Sequence, residues 1–344
     1  MVQTADNKAR RDKLAALLEL ASRSSQALIV THNDPDPDAF GAAAGLAELF
    51  RRRLQLRSAI AYSGIIGRAE NKAMVRELGI DARPLSCISF ADYGLLVLVD
   101  SQPGAGNQPL GHTRLPDAVI DHHPLRTETL NVPFWDVRND CSATSTIVTG
   151  YLRLARLSPS RATATALFYG IKTDSLGLAR SSHDEDTQAY VYLQHRLDRE
   201  ALTRIENASV SPDYFQALDR ALHQTTAYDG LVVARIGDMQ YPDMAAEVAD
   251  FLRRLQGARV IVALGRFHGD VVISVRSPDS GAALDELVEK VIRSDGTAGG
   301  HGYMAAGRVP ASLAGSAAAT EDEIVRRFSR ALGQDRYTPR PLIS

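Results

Sequence analysis

The feature that most constrains the fold is an alternation of short apolar segments with longer segments of helical periodicity. The first apolar segment, 27–31, is followed by a loop rich in Asp and Pro and then by an Ala-rich helical pattern over 42–54. Further apolar segments lie at 93–100 and 118–121. Short apolar strands that alternate with helices are typical of a parallel sheet covered on both faces. We therefore predict an α/β fold with a parallel sheet in the N-terminal part.

A second pattern begins beyond 210–213 (VSPD), where three apolar, β-branched segments alternate with helical ones. A length of 344 residues also favours two domains over one. We predict a smaller α/β domain in the C-terminal part. The expected boundaries are a first domain at 1–208, a linker at 209–224, a second domain at 225–334 and a loosely held tail at 335–344.

Composition and charge exclude several classes of protein. The formal net charge of −2 argues against a large basic face for long duplex nucleic acid. No apolar run approaches the ~20 residues that span a bilayer, and residues 1–11 lack the apolar core of a signal peptide. Cys87 and Cys141 have neither metal-ligand nor redox spacing, which fits a reducing compartment. We expect a cytoplasmic protein with no membrane partner and no long duplex partner.

Acidic and histidine residues cluster where the predicted strands end, the edge of a parallel sheet at which ligands bind. Four segments contribute them, and the residues are His32, Asp36, Asp38, Asp100, Asp121, His122, His123 and Asp174. Burying so many charges is costly unless they are paired or bound to a cation. Carboxylates with imidazoles and no thiolate favour Mn²⁺, Mg²⁺, Zn²⁺ or Fe²⁺. The sequence therefore predicts a metal site, whereas Asp34 is expected to form a turn or a helix cap.

The ordered set of motifs in the first part of the chain resembles the DHH phosphoesterase superfamily. The segment 121–123 (DHH) looks like the signature that gives the superfamily its name. The segment 32–38 (HNDPDPD), with the spacing His-x-x-x-Asp-x-Asp, resembles its first motif. The segments 99–101 (VDS) and 170–174 (GIKTD) resemble its second and fourth motifs.

Two segments in the C-terminal part are similar to the DHH-associated substrate domain. They are 299–302 (GGHG), continued by 304–307 (MAAG), and 274–277 (SVRS). Ala298 stands where some members of the family have a third glycine. The pair of domains resembles the group of nanoRNases, phosphoadenosine phosphate phosphatases and linear dinucleotide hydrolases. The motifs extend from about residue 25 to about residue 310.

The resemblance implies two ions, expected to be Mn²⁺ with Mg²⁺ or Co²⁺ as alternatives, in a catalytic first domain. One ion would be held by His32, Asp36 and Asp100, and the other by Asp38, Asp100, His122 and Asp174. Asp100 would bridge the two ions, and two cations ~3.5–4 Å apart can lower the pKa of a shared water. The catalytic residues would be His123, Asp100 and Asp121, with His123 facing the phosphate and Asp121 orienting an imidazole from behind.

The resemblance also implies that the second domain binds substrate and that the active site lies in the cleft between the domains. The substrate-binding residues would be Arg276, Ser277, Gly299, Gly300, His301 and Gly302. A glycine-rich turn would let backbone N–H groups approach an anion closely. The expected substrate is a dinucleotide or other short oligonucleotide, such as pGpG, pApA or 3′-phosphoadenosine-5′-phosphate.

Other interpretations stay open at this point. An inorganic pyrophosphatase shares the metal motifs, a single-strand exonuclease shares the chemistry, and a non-catalytic nucleotide-binding protein could keep the fold. Ser142, Thr144 and Ser145 form a hydroxyl-rich helix start that suits either substrate contact or N-capping. The sequence leaves open the preferred base, the 5′ or 3′ polarity and the oligomeric state, including a homodimer.

Overall fold

A parallel β-sheet organises the N-terminal part of the computed structural model, which describes residues 2–111, 114–179, 183–279, 282–301, 303–334 and 338–343. Over these ranges the chain forms two units, Met1–Ala208 and Ser209–Ser344. None of the helices in these ranges combines the length and the apolar character that crossing a bilayer requires.

The described part of the N-terminal unit contains these strands and helices. The strands are β1 (Gln26–Asn33), β2 (Arg57–Ser63), β3 (Ala82–Pro84), β4 (Leu95–Val99), β5 (Ala118–Asp121) and β6 (Phe134–Val137). The helices are α1 (Val2–Ser22), α2 (Pro37–Leu54), α3 (Ala69–Glu77), α4 (Thr144–Leu154), α5 (Arg161–Asp174), α6 (Asp184–Gln194) and α7 (Arg199–Glu206).

The described strands of this unit form one sheet in the order β3-β2-β1-β4-β5-β6, and every neighbouring pair is parallel. The predicted parallel sheet is therefore confirmed. Strand β4 is buried along its whole length, and the apolar residues of β1 are buried as well. From β1 the chain runs outward in one direction to β2 and β3, and from β4 in the other to β5 and β6. A crevice forms at the carboxyl ends of two such strands, where the strand order reverses.

Helix α2 begins earlier than its apolar pattern indicates. Asp36 is the N-cap residue, and its carboxylate accepts hydrogen bonds from the N–H groups of Asp38 and Ala39. Pro37 occupies the first helical position, where a missing N–H costs nothing. The Asp- and Pro-rich segment is therefore partly a helix start, and it places two carboxylates beside the end of β1.

The described C-terminal unit is a mixed α/β structure, which confirms the predicted second α/β part of the chain. Its strands are β7 (Thr226–Tyr228), β8 (Leu231–Asp238), β9 (Val260–Phe267), β10 (Asp270–Arg276), β11 (Thr297–His301), β12 (Met304–Pro310) and β13 (Arg340–Pro341). Its helices are α8 (Pro212–His223), α9 (Met244–Leu252), α10 (Leu284–Ile292) and α11 (Ala317–Ala331). The sheet order is β11-β12-β10-β9-β8-β7-β13, and β8 with β9 is its parallel pair.

Several segments of this unit differ in detail from the sequence-based expectation. Helix α8 lies within the expected linker, and Arg340 in the expected tail pairs with Ala227. The expected glycine-rich turn is wrong for Gly299 and Gly300, which lie in β11 and pair with β12. A Cβ atom on Gly300 would come within 2.5 Å of Ala305 Cα, so a glycine here permits close strand pairing.

Candidate metal centre

Three strands direct acidic and histidine side chains to one edge of the N-terminal sheet. His32 lies near the end of β1, Asp100 follows the last residue of β4, and Asp121 is the last residue of β5. Asp100 adopts a left-handed backbone conformation with φ of 58°. A non-glycine residue with positive φ is uncommon, although Asp and Asn tolerate it best. The edge that the sequence predicted as a ligand site therefore carries these side chains.

Asp174 reaches the same place by a different route. The sequence grouped it with the strand ends, and this is wrong: it is the last residue of helix α5, which confirms the helical pattern at 161–173. Its carboxylate Oδ2 nevertheless lies 3.4 Å from Nε2 of His122. The apolar run before Asp174 has the period of a helix that packs on the sheet, and the end of this helix reaches the sheet edge.

The predicted ligands form two groups of potential donors. Ligand atoms of His32, Asp36 and Asp100 all lie within 4.8 Å of one another, and so do those of Asp38, His122 and Asp174. Asp100 faces both groups with different oxygens. Its Oδ2 lies 3.4 Å from His32 Nε2, and its Oδ1 lies 3.6 Å from His122 Nε2. This is the arrangement expected of a carboxylate that bridges two ions.

The polar atoms of this site are placed better for binding a divalent cation than for hydrogen bonding to one another. His122 Nε2 is buried and has no hydrogen-bond partner among the described residues. Its nearest carboxylate oxygens, at 3.4 Å and 3.6 Å, are beyond ordinary hydrogen-bonding distance. An orphaned buried imidazole nitrogen between carboxylates is costly without a ligand. The mixed oxygen and nitrogen donors suit Mn²⁺, Mg²⁺ or Zn²⁺.

The pKa shifts of the site's side chains also indicate that this site needs a positive charge. Burial and the neighbouring carboxylates raise the pKa of Asp38 and of Asp174 well above its usual value. Burial lowers the pKa of His32, but the carboxylates of Asp100 and Asp36 outweigh it and raise that pKa overall. So many acidic groups cannot all be ionised at close range without a compensating positive charge.

His123 is held differently from His122. Its Nδ1 lies 2.9 Å from Asp121 Oδ1, and its side chain is 40% exposed. Burial alone would lower its pKa, but the Asp121 carboxylate raises it to about 9. The same pairing, together with neighbouring polar groups, holds the pKa of Asp121 below its usual value despite burial. The pairing with Asp121 therefore favours the protonated form of His123.

Gln102 is a site residue that the sequence analysis missed. Its buried side-chain N–H₂ group donates to Asp121 Oδ2 at 2.7 Å and to the carbonyl oxygen of Pro124 at 3.1 Å. Its side-chain oxygen accepts from the backbone N–H of Arg126 and from the hydroxyl of Thr129, each at 2.9 Å. Gln102 thus joins the loop after β4 to the loop after β5. The available signal was its position, two residues after Asp100.

The structure brings Arg276 and Ser277 beside the β11–β12 hairpin, since Arg276 pairs with Met304 and the Ser277 N–H donates to the Tyr303 carbonyl. Arg276 is buried, and its guanidinium donates to Asp250 Oδ1 at 2.7 Å. A binding role for the set Arg276, Ser277, Gly299, Gly300 and His301 stays a prediction. Gly302, the remaining predicted residue, lies outside the described residues.

Comparison with known proteins gives this fold and site a family context. Residues 26–171 match the sequence profile of the DHH family, N-terminal domain. An uncharacterized protein of Methanocaldococcus jannaschii is 33% identical over 287 residues, which are 83% of this chain and 58% of the relative. The cyclic-di-AMP phosphodiesterase GdpP of Geobacillus thermodenitrificans is 27% identical over 320 residues, 88% of this chain and 47% of the relative. The chain thus spans about half the length of these relatives.

Two solved structures share the fold at low sequence identity. An exopolyphosphatase-related protein from Bacteroides fragilis gives a TM-score of 0.70 at 14% identity, covering 94% of this chain and 98% of that one. RecJ from Thermus thermophilus, solved in complex with Mn²⁺, gives 0.53 at 16% identity, covering 95% of this chain and 55% of that one. At these identities the likeness concerns the fold.

Proposed function

Since residues 26–171 belong to the DHH family, we propose that this chain is a divalent-metal-dependent phosphoesterase that hydrolyses short nucleotides. The observation that carries the proposal is the pair of ligand groups that meet at Asp100. The orphaned Nε2 of His122 lies beside that residue. Cations would compensate the charge of this buried set of donors, and a pair of cations is the usual device for cleaving phosphate esters.

In this proposal His32, Asp36, Asp38, Asp100, His122 and Asp174 hold two ions, with Mn²⁺ as the expected metal. When bound, the ions supply Lewis-acid stabilisation of the phosphate and a water of lowered pKa. The chain itself orients the His123 ring and sets its charge. The Asp121 carboxylate accepts a hydrogen bond from His123 Nδ1, which fixes the ring and favours its protonated form. A charged donor at that position suits a phosphoryl oxygen whose negative charge grows during cleavage.

The favoured substrates are linear dinucleotides and related short nucleotides. The net charge of −2 gives little sign of an extended groove with repeated backbone contacts. Cyclic dinucleotides are a second candidate, which the similarity to a cyclic-di-AMP phosphodiesterase over 88% of this chain supports. Both candidates are phosphodiesters, so the same metal site serves either.

A metal-dependent substrate screen of the full chain tests the proposal. The protein is stripped with a chelator, reloaded with Mn²⁺, Mg²⁺ or Co²⁺, and assayed on linear dinucleotides, cyclic dinucleotides, phosphoadenosine phosphate and pyrophosphate. We expect hydrolysis of a dinucleotide that the chelator abolishes and Mn²⁺ restores. Turnover of pyrophosphate alone would favour the pyrophosphatase alternative. Nucleotide binding without any turnover under saturating metal would overturn the enzymatic proposal.

His122→Ala with Asp136→Asn as its control separates the proposed site from a general loss of stability. Asp136 is a buried aspartate of the same unit, but its carboxylate is paired with the guanidinium of Arg138 at 2.6 Å. His122→Ala is expected to lose activity and metal together. Asp136→Asn is expected to lower thermal stability and to keep both.

A further inference from the structure

The first residue of helix α4 touches both groups of proposed metal ligands. The hydroxyl of Thr144 donates to Asp100 Oδ1 at 2.8 Å, and its backbone N–H donates to Asp38 Oδ2 at 2.6 Å. Asp38 belongs to one ligand group, and Asp100 faces both groups. Thr144 is itself fully buried. One residue therefore fixes the carboxylates of two different segments relative to each other.

The adjoining residue completes the hold on Asp38. The backbone N–H of Ser145 donates to Asp38 Oδ1 at 2.8 Å, so both carboxylate oxygens of Asp38 accept an N–H group from the start of α4. The Ser145 hydroxyl donates to the backbone oxygen of Asp38 at 3.3 Å. These contacts leave the carboxylate little freedom to rotate.

Helix capping does not explain the Thr144 hydroxyl. The N-cap of α4 is Ala143, whose methyl group cannot accept a hydrogen bond. Thr144 follows this N-cap directly. A threonine hydroxyl in a helix commonly donates to a nearby backbone carbonyl, as the Thr149 hydroxyl does to the Ser145 carbonyl at 2.7 Å. The Thr144 hydroxyl points instead to the oxygen of Asp100 that faces His122.

We propose that Thr144 is a positioning residue that sets the spacing of the two metal ions by tying Asp100 to Asp38. Groups that hydrogen-bond to metal ligands orient them, and removing one commonly costs ~10–100-fold in metal affinity or activity. The proposal rests on the two-metal site proposed above. Its particular claim is that the hydroxyl, and not merely a side chain of this size, is needed for two ions to bind as a pair.

Stepwise Mn²⁺ binding to the stripped full chain tests this claim, with stoichiometry and affinity from calorimetry and ion pairing from electron paramagnetic resonance. Thr144→Val keeps the volume and removes the hydroxyl, Thr144→Ala removes the hydroxyl without adding a methyl against Asp100, and Thr144→Ser restores it. Thr149→Val is the matched control, since it removes a buried hydroxyl from the same helix without touching a proposed ligand. Melting temperatures of the stripped proteins report on folding.

We expect Thr144→Val and Thr144→Ala to bind the second ion ~10–100-fold more weakly and to lose the spin-coupled signal of an ion pair. Thr144→Ser and Thr149→Val should stay within about threefold of wild type. Wild-type binding in Thr144→Ala, or a Thr144→Ser variant as weak as Thr144→Ala, would overturn the positioning role. If the wild-type chain binds no Mn²⁺, the proposed metal site itself fails, so the two failures are distinguishable.

Discussion

At the scale of single residues, the site consists of buried charged side chains whose burial is explained by the charged and polar groups that they face in one another. Asp100 is almost completely buried, yet its two oxygens face two different histidines at 3.4 Å and 3.6 Å. The Thr144 hydroxyl donates to one of these oxygens. A buried carboxylate that faces imidazoles just beyond hydrogen-bonding distance is typical of a ligand set.

Asp100→Asn is the sharpest test of the bridge, because asparagine tolerates the left-handed backbone that alanine would strain. We expect loss of the ion pair and no detectable turnover, because a neutral amide is a poor bridging ligand. We also expect a stripped protein that melts as high as wild type or a few degrees higher, since one of several repelling carboxylates is gone. Calorimetry with Mn²⁺ and a melting scan in chelator measure both effects. Turnover above a few per cent of wild type under saturating Mn²⁺ would contradict a bridging role.

His123→Ala tests the division of labour between the adjacent histidines. His123 pairs with Asp121 and is partly exposed, whereas His122 faces the proposed ligands. We expect metal content near wild type and a kcat lowered ~10²–10³-fold, the usual effect of removing one transition-state donor. Elemental analysis alongside steady-state kinetics reads out both quantities. Loss of bound metal would reassign His123 to the ligands.

At the scale of elements, the crossing of α4 with α2 and α5 holds the site together. A Cβ atom on Gly170 in α5 would lie 2.6 Å from Ser145 Oγ and 2.9 Å from Asp38 Cα. A Cβ atom on Gly41 in α2 would lie 2.7 Å from the same hydroxyl oxygen. The start of α4 therefore fits only because these two helix positions carry no side chain.

Gly170→Ala is expected to push α4 away from Asp38. Overpacking of this kind costs ~1–3 kcal/mol of unfolding free energy, and we expect Mn²⁺ to bind more weakly as well. Gly150→Ala is the matched control, because Gly150 lies in α4 with open space around it. That substitution should be neutral or stabilise by ~0.5–1 kcal/mol. Denaturant unfolding of both variants decides the matter, and equal stabilities would refute the packing argument.

The elements also show which parts of the fold and site a sequence can predict. Strands β1, β4 and β5 were predicted because each is a continuous apolar run, and a charge at the end of such a run is easy to see. Asp174 was grouped with the strand ends although the segment 161–173 before it has a helical pattern, which helix α5 confirms. The position of Gln102 two residues after Asp100 did not reveal its role, since that role depends on contacts with Asp121 and Thr129 that only the fold creates.

At the scale of the whole chain, the proposed metal ligands and the proposed substrate-binding residues lie in two different units, one with a parallel sheet and one with a mixed sheet. Every proposed metal ligand lies in the N-terminal unit, which also contains the match to the DHH family. The proposed substrate-binding residues lie in the C-terminal unit, where Arg276 already pairs with Asp250. The sequence motifs therefore predict the metal ligands in more detail than the substrate-binding residues. Only a few residue types can bind a metal ion, whereas many combinations of residues can form a binding surface.

The dependence of kcat/KM on substrate length is the prediction that belongs to the whole chain. We expect the highest value for dinucleotides and a decline towards ten nucleotides, since a net charge of −2 offers little support for a long anionic strand. Arg276→Ala should raise KM for a dinucleotide more than for an aryl phosphate ester. Its control is Arg308→Ala, which removes another paired arginine, bonded to Asp270 at 2.6 Å, from the same sheet. A steady rise of kcat/KM with length would point to an exonuclease.

The spread of the ligands along the chain has a consequence for folding. They come from segments between His32 and Asp174, and those segments meet only when β1, β4, β5 and the ends of α2 and α5 have assembled. A cation that binds only this assembled state stabilises it by mass action, by ~4 kcal/mol at a thousand times its dissociation constant. Amide hydrogen exchange at the carboxyl ends of β1 and β4 should therefore slow as Mn²⁺ is added. The metal would then stabilise the assembled N-terminal unit late in folding, in addition to its role in catalysis.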